Sequence, residues 1–177
     1  PTVAAESALT VNVRTPGDAP PGQPCGKLAE VRVWNCALSS DEINANSVTL
    51  PTGREPGLQA YYGLRTLPGG TAWGQTESDF DAVMTDGSFS SCSPPVGNPG
   101  NAAVYLDGID AHVSLPAMTL DATNGFTVEA WVLCDKFMPQ ARILDFGNGA
   151  ASDNILLYQG QTEGSVRFEV YRGGTQQ

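Results

Sequence analysis

GKLAEVRVWNCALSSDEI, residues 26–43, and GFTVEAWVLCDKF, residues 125–137, carry one pattern at two widely separated places in the chain. In Glu30-Val31-Arg32-Val33-Trp34-Asn35 the valines take one face, while the charges and then a tryptophan take the other. In Thr127-Val128-Glu129-Ala130-Trp131-Val132 the small and β-branched residues again share a face, opposite Glu129 and Trp131. A period of two belongs to a β-strand with one face toward a core. As sheet neighbours, the two strands would set Arg32 against Glu129, a cross-strand pair of about 0.2 to 1 kcal/mol.

Just beyond the first strand, Ser39-Ser40-Asp41-Glu42 places a hydroxyl three residues before a carboxylate. That capping box predicts a helix of two turns at most, ending near Ser47. Upstream, Ala8 to Val13 reads as a strand and RTPGDAPPGQPCG (14–26) as a loop unable to join a central ladder. Downstream, Thr49 to Pro56 is linker-like, GLQAYYGL (57–64) is a strand, and residues 68–99 form the loosest stretch. Ala103 to Leu106 and Ala111 to Leu115 flank Asp107-Gly108, which predicts a hairpin. Phe126 to Leu133, Arg142 to Phe146, Ile155 to Tyr158 and Val166 to Tyr171 complete the strands. The last alternates, with Val166, Phe168 and Val170 opposite Arg167, Glu169 and Tyr171. With 20 Gly and 13 Pro punctuating 177 residues, the class is all-β: an antiparallel β-sandwich with one short helix.

The net charge of -10, from 19 acidic and 9 basic residues, repels phosphate backbones and anionic head groups, so nucleic acid is not an expected partner. No apolar run is long enough to span a bilayer, and PTVAAESALT lacks the basic-then-apolar layout of a signal peptide, which predicts a soluble chain. Cys25, Cys36, Cys92 and Cys134 fall in no CxxC pair, which argues against zinc and for disulfides. Three pairings are open. The short separation of Cys25 and Cys36 makes that bridge plausible, with Cys92 joined to Cys134.

VYLDGIDAHVSLP (104–116), GFTVEAWVLCDKF and RILDFGN (142–148) together resemble the opening half of a laminin-G-like, concanavalin A-like jelly roll. GKLAEVRVWNCALSSDEI resembles the closing strand and short helix of that fold, and GLQAYYGL the segment that follows it. The order is reversed, with a closing motif first. The resemblance therefore implies the C-terminal strands and helix of one domain over 1–50, a connector with one strand over 51–95, and the N-terminal half of a second domain over 96–177. A fragment of a tandem array is the favoured account. A permuted sandwich made from both halves, or strands lent by neighbouring chains, are the alternatives.

The family resemblance also frames the candidate sites. Glycoside hydrolases on this sandwich resemble one another in a Glu-x-Asp-x-x-Glu strand, and none occurs here. The nearest approach, Glu77-x-Asp79-x-Asp81, sits in a Gly/Ser/Thr-rich stretch and reads as a solvated acidic loop. The lone His112 reads as a strand residue. Calcium is the cation the family implies, because hard cations take oxygen ligands. Asp145, Asn148, Asp153 and Asn154 are the candidate ligands, while Asp107 and Asp110 read as turn residues. Trp34, Trp131 and Tyr158 would be the stacking surface of a glycan site, set against the plainer reading of packed aromatics.

These readings imply a non-enzymatic, extracellular structural or adhesive module, with other copies or neighbouring domains of an assembly as partners. The alternative is a carbohydrate-binding, lectin-like module, calcium-assisted, with glycans as partners.

Overall fold

The computed structural model describes residues 8–11, 25–64, 82–90, 103–118, 123–147, 154–172 and 175–176. Two antiparallel sheets face each other. The first contains β2 (Cys25–Trp34), β3 (Leu58–Tyr62), β5 (Ser88–Ser90), β6 (Ala103–Asp107) and β8 (Thr127–Lys136). The second runs β12-β11-β10-β9-β1-β7-β4, with β1 (Ala8–Val11), β4 (Val83–Thr85), β7 (His112–Ala117), β9 (Arg142–Phe146), β10 (Ile155–Gln159), β11 (Val166–Arg172) and β12 (Thr175–Gln176). Leu28, Val31 and Val33 from one sheet meet Val113, Leu115, Leu144, Phe146 and Ile155 from the other in a single buried cluster. The molecule is an all-β sandwich with one helix.

β2 is the axis of the first sheet. One of its edges pairs with β8 along its whole length, from Cys25↔Lys136 to Trp34↔Thr127. The other edge is shared end to end by β6, opposite Cys25 to Leu28, and β3, opposite Val31 to Trp34. The two motif strands are thus neighbours, and Arg32 lies opposite Glu129 as the alternation predicts.

That pairing corrects the division of the chain at residues 50 and 95. The buried cluster draws on residues of 1–50 (Leu28, Val33), of 51–95 (Ala60, Tyr62, Ala82) and of 96–177 (Val104, Leu144), so these segments do not have separate cores. β2 and β8 are paired neighbours within one sandwich.

A second correction concerns Asp107-Gly108. β6 pairs with β2 and β5, whereas β7 pairs with β1 and β4 in the opposite sheet, so the turn is an arch between sheets rather than a hairpin. Asp107 Oδ1 accepts the amides of Ile109 (2.9 Å) and Ala111 (3.3 Å), and Gly108 takes φ +80°, which a side chain would resist. Within the stretch read as loose, β4 and β5 make a similar arch between the sheets around Asp86-Gly87, and Met84 and Phe89 pack on the core.

The cysteine pairing is corrected too. At about 3.3 Å per residue, the ten-residue β2 holds Cys25 about 30 Å from Cys36, far beyond disulfide reach. Cys25 shares the outer face with Tyr105, whose hydroxyl is 3.9 Å from its Sγ, while Cys134 on the inner face accepts Gln159 Nε2 at 3.3 Å. No two of Cys25, Cys36 and Cys134 are bonded to each other. Cys92 lies outside the described residues, so a bond to it is the one intrachain pairing left.

Candidate functional site

The outer face of β2 and β8 is sealed by α1 (Ser40–Ser47). The capping box forms as predicted, with Glu42 N donating to Ser39 Oγ (3.3 Å) and Ser39 N to Glu42 Oε2 (2.7 Å). Those Ser39 hydrogen bonds, side chain first, hold the Glu42 carboxyl below its ordinary range. At the other end of α1, Arg32 donates to the carbonyls of Asn46 and Thr49, the latter at 2.7 Å. A cation there satisfies helix carbonyls and opposes the negative end of the dipole.

Arg32 therefore does not bond Glu129. A bulge puts Glu30 at φ +56° and breaks the register between Ala29 and Arg32, which brings Glu30 Oε2 to 3.4 Å from Arg32 Nη2. Tyr61 donates to the same oxygen at 2.6 Å. Glu129 instead accepts Trp34 Nε1 (2.7 Å) and Asn46 Nδ2 (3.3 Å), and Trp131 Nε1 donates to Ser47 O at 3.2 Å. Both indoles thus fasten the helix to the sheet. Trp34 keeps 4% of its exposure and Tyr158 7%, which removes these two from the glycan-stacking set; Trp131 is half-buried beneath α1.

The outer face of the other sheet carries a second polar group. Tyr158 and Tyr171 both donate to Glu169, and the Arg142 guanidinium lies 5.5 Å from the centre of the Tyr158 ring. The Tyr158 hydrogen bond, then those of Tyr171 and the charge of Arg167, lower the Glu169 carboxyl.

Of the calcium candidates, Asp145 and Asn154 are described, and Asn148 and Asp153 lie outside the described residues, as do Glu77, Asp79 and Asp81. The two described ones converge. A Cβ built on Gly147 would lie 2.7 Å from Asp145 Oδ1 and 2.9 Å from Asn154 Oδ1, so glycine leaves the space between both oxygens open. Burial raises the Asp145 carboxyl above its ordinary range, against the pull of Arg142. Among the described residues no three His, Cys, Asp or Glu side chains gather as a metal site.

The third feature was not singled out in the sequence. Phe126, Thr127 and Val128 at the start of β8, Leu144 and Phe146 on β9, Ile155 and Leu157 on β10, and Phe168 on β11 enclose a cavity of about 210 Å³ between the sheets. Phe126 and Phe168 form its lip, ring centres 6.1 Å apart. On the far edge of β8 no strand pairs among the described residues. Phe168 at this opening and Val166 further along β11 are exposed apolar side chains. The signal was present in the clean alternation of Val166, Phe168 and Val170, which calls for a facing layer.

Comparison with protein-family models, with curated proteins and with solved structures finds no match for this chain.

Proposed function

We propose that the chain is a non-catalytic, extracellular structural or adhesive module of the concanavalin A-like, laminin-G-like kind, working by engaging neighbouring domains or other copies in a larger assembly. The observation that carries this reading is the outer edge of β8, which pairs with no strand among the described residues and stands beside a cavity lined mostly by apolar residues. A ten-residue edge strand with an uncovered apolar side is a template for association. The engagement of three strand carboxylates supports the non-catalytic part. Glu30 is tied to Arg32 and Tyr61, Glu129 to Trp34 and Asn46, and Glu169 to two tyrosines. Sedimentation of the natively sourced protein, with intact mass under reducing and non-reducing conditions, tests it. The reading expects the 18.6 kDa sequence within a larger species; a free chain of that mass contradicts it.

The convergence of Asp145 and Asn154 favours a second reading, a calcium-assisted carbohydrate-binding module with its site at the β9–β10 rim. A glycan array read with and without a chelator tests it. Chelator-sensitive binding that Asp145→Asn abolishes would make this the leading function.

A further inference from the structure

Thr123 and Asn124 form an exposed turn that leads through Gly125, at φ +79°, into β8. The turn lies against the link between β2 and α1. Ala37 N donates to the Asn124 carbonyl at 3.1 Å, and further on Thr127 Oγ1 accepts Leu38 N at 2.9 Å and donates to the Cys36 carbonyl at 3.0 Å. These bonds clamp residues 36–38, from which the chain enters the helix, to the start of β8. A Cβ on Gly125 would sit 2.9 Å from the Ala37 Cβ and 3.2 Å from Ala37 N, so the close approach and the positive φ both call for glycine here.

The glycine that permits the clamp also leaves its own amide nitrogen unshielded by a side chain. Next to it the Asn124 carboxamide is exposed and has no hydrogen-bond partner among the described residues. Asp107-Gly108 is the contrasting case, because there Oδ1 is held by the amides of Ile109 and Ala111, and an ionised carboxylate is a poor target for a nucleophile.

We infer that Asn124 is a site of spontaneous covalent modification that loosens the clamp beneath α1. The Gly125 nitrogen attacks Asn124 Cγ. A C–N bond closes a cyclic imide, the Cγ–Nδ2 bond breaks, and Nδ2 leaves as ammonia with the proton that the Gly125 nitrogen gives up. Water then opens the ring. Opening at the former main-chain carbonyl routes the chain through Cβ and Cγ, which adds one atom to the main chain and frees a carboxylate, one negative charge beyond the present -10. The anchors at Asn124 and Thr127 then no longer match the spacing of their partners on residues 36–38.

The test ages the folded protein beside the free acetylated peptide Asp-Ala-Thr-Asn-Gly-Phe-Thr-Val in mildly alkaline buffer, followed by peptide-mapping mass spectrometry. The fragment holding Asn124 should gain about 1 Da as the amide nitrogen is replaced by oxygen. Its rate should stay within about tenfold of the free peptide's, because exposed turns open at little cost. Asn148-Gly149, which lies outside the described residues, is followed as a separate fragment. Asn124→Gln, which would need a larger ring to cyclise, should stop the gain at this position while keeping the backbone clamp. In the isoaspartyl fraction, separated by chromatography, the Ala37 and Leu38 amides should exchange about tenfold faster, as the loss of one hydrogen bond implies. Asn124→Asp, which adds the charge without the extra main-chain atom, should leave their exchange unchanged. Slower conversion in the folded chain than that limit overturns the site. Unchanged exchange of both amides in the isoaspartyl fraction, or equal acceleration in Asn124→Asp, overturns the loosening.

Discussion

The two sides of the β2–β8 pair make the instructive comparison. On the outer face the large polar groups are engaged: α1 lies across the strands, two indoles donate to it or to Glu129, and Arg32 caps its carbonyls. On the inner face, past β8, apolar side chains meet an opening of about 210 Å³. The same alternating strand pattern produced both. A strand's pattern states which face is apolar and is silent about whether a neighbour covers it.

The largest expected effects fall on the closed side. Trp34→Ala removes a buried ring and leaves Glu129 short of a donor, and should cost about 3 to 5 kcal/mol in denaturant unfolding. Arg32→Ala removes a cation beside the Glu30 carboxylate, 1% exposed, and should cost about as much, since breaking a buried pair costs about 3 to 5 kcal/mol. A loss below about 1 kcal/mol in either would mean that α1 does not seal this face. Next comes Ser39→Ala, which removes one half of the capping box and should cost about 1 kcal/mol.

On the open side the effects reverse in kind. Phe168→Thr should change stability by less than about 0.5 kcal/mol, as exposed substitutions do, while measurably lowering self-association in light scattering. A large destabilisation would show that the second sheet is covered at β11 after all.

Acid provides a finer contrast. Glu169 is lowered by its phenolic donors, so its contribution is present above its unfolded pKa and fades as pH falls through the folded value. Asp145, raised by burial, has the opposite sign: its charged form costs stability at neutral pH, and the cost vanishes as pH falls through its folded value. Without divalent cations, Asp145→Asn should therefore raise the melting temperature at pH 7 and lose that advantage in acid. With calcium added, a fall of the variant below the wild type would locate the cation at this carboxylate.

Much of this architecture was legible in the residues. The alternation around Trp34 and Trp131 placed both strands and their register, and Ser39 with Glu42 placed the helix, because each is a local rule. Tertiary choices were not. Asp107-Gly108 announced a turn, yet whether the chain folds back into one sheet or arches to the other depends on distant partners of β6 and β7. The Arg32–Glu129 bond failed because a bulge at Glu30 supplied a nearer carboxylate. Val83-Met84-Thr85 and Ser88-Phe89-Ser90 around Asp86-Gly87 repeat the Asp107-Gly108 arrangement, and their shortness hid them in a Gly- and Ser-rich stretch. Of the calcium candidates, the convergence of Asp145 and Asn154 follows from β9 pairing with β10, while the stacking aromatics Trp34 and Tyr158 are covered because strand tryptophans and tyrosines pack against whatever crosses them.

The central claim is that strands from the two ends of the chain build one sandwich through β2 and β8. Cross-strand nuclear Overhauser effects at the Val33–Val128 pair, recorded on dilute monomer and repeated on a mixed-label sample, test it most directly. The account predicts contacts between these residues within a single chain. Their absence, or their appearance only between differently labelled chains, would contradict it.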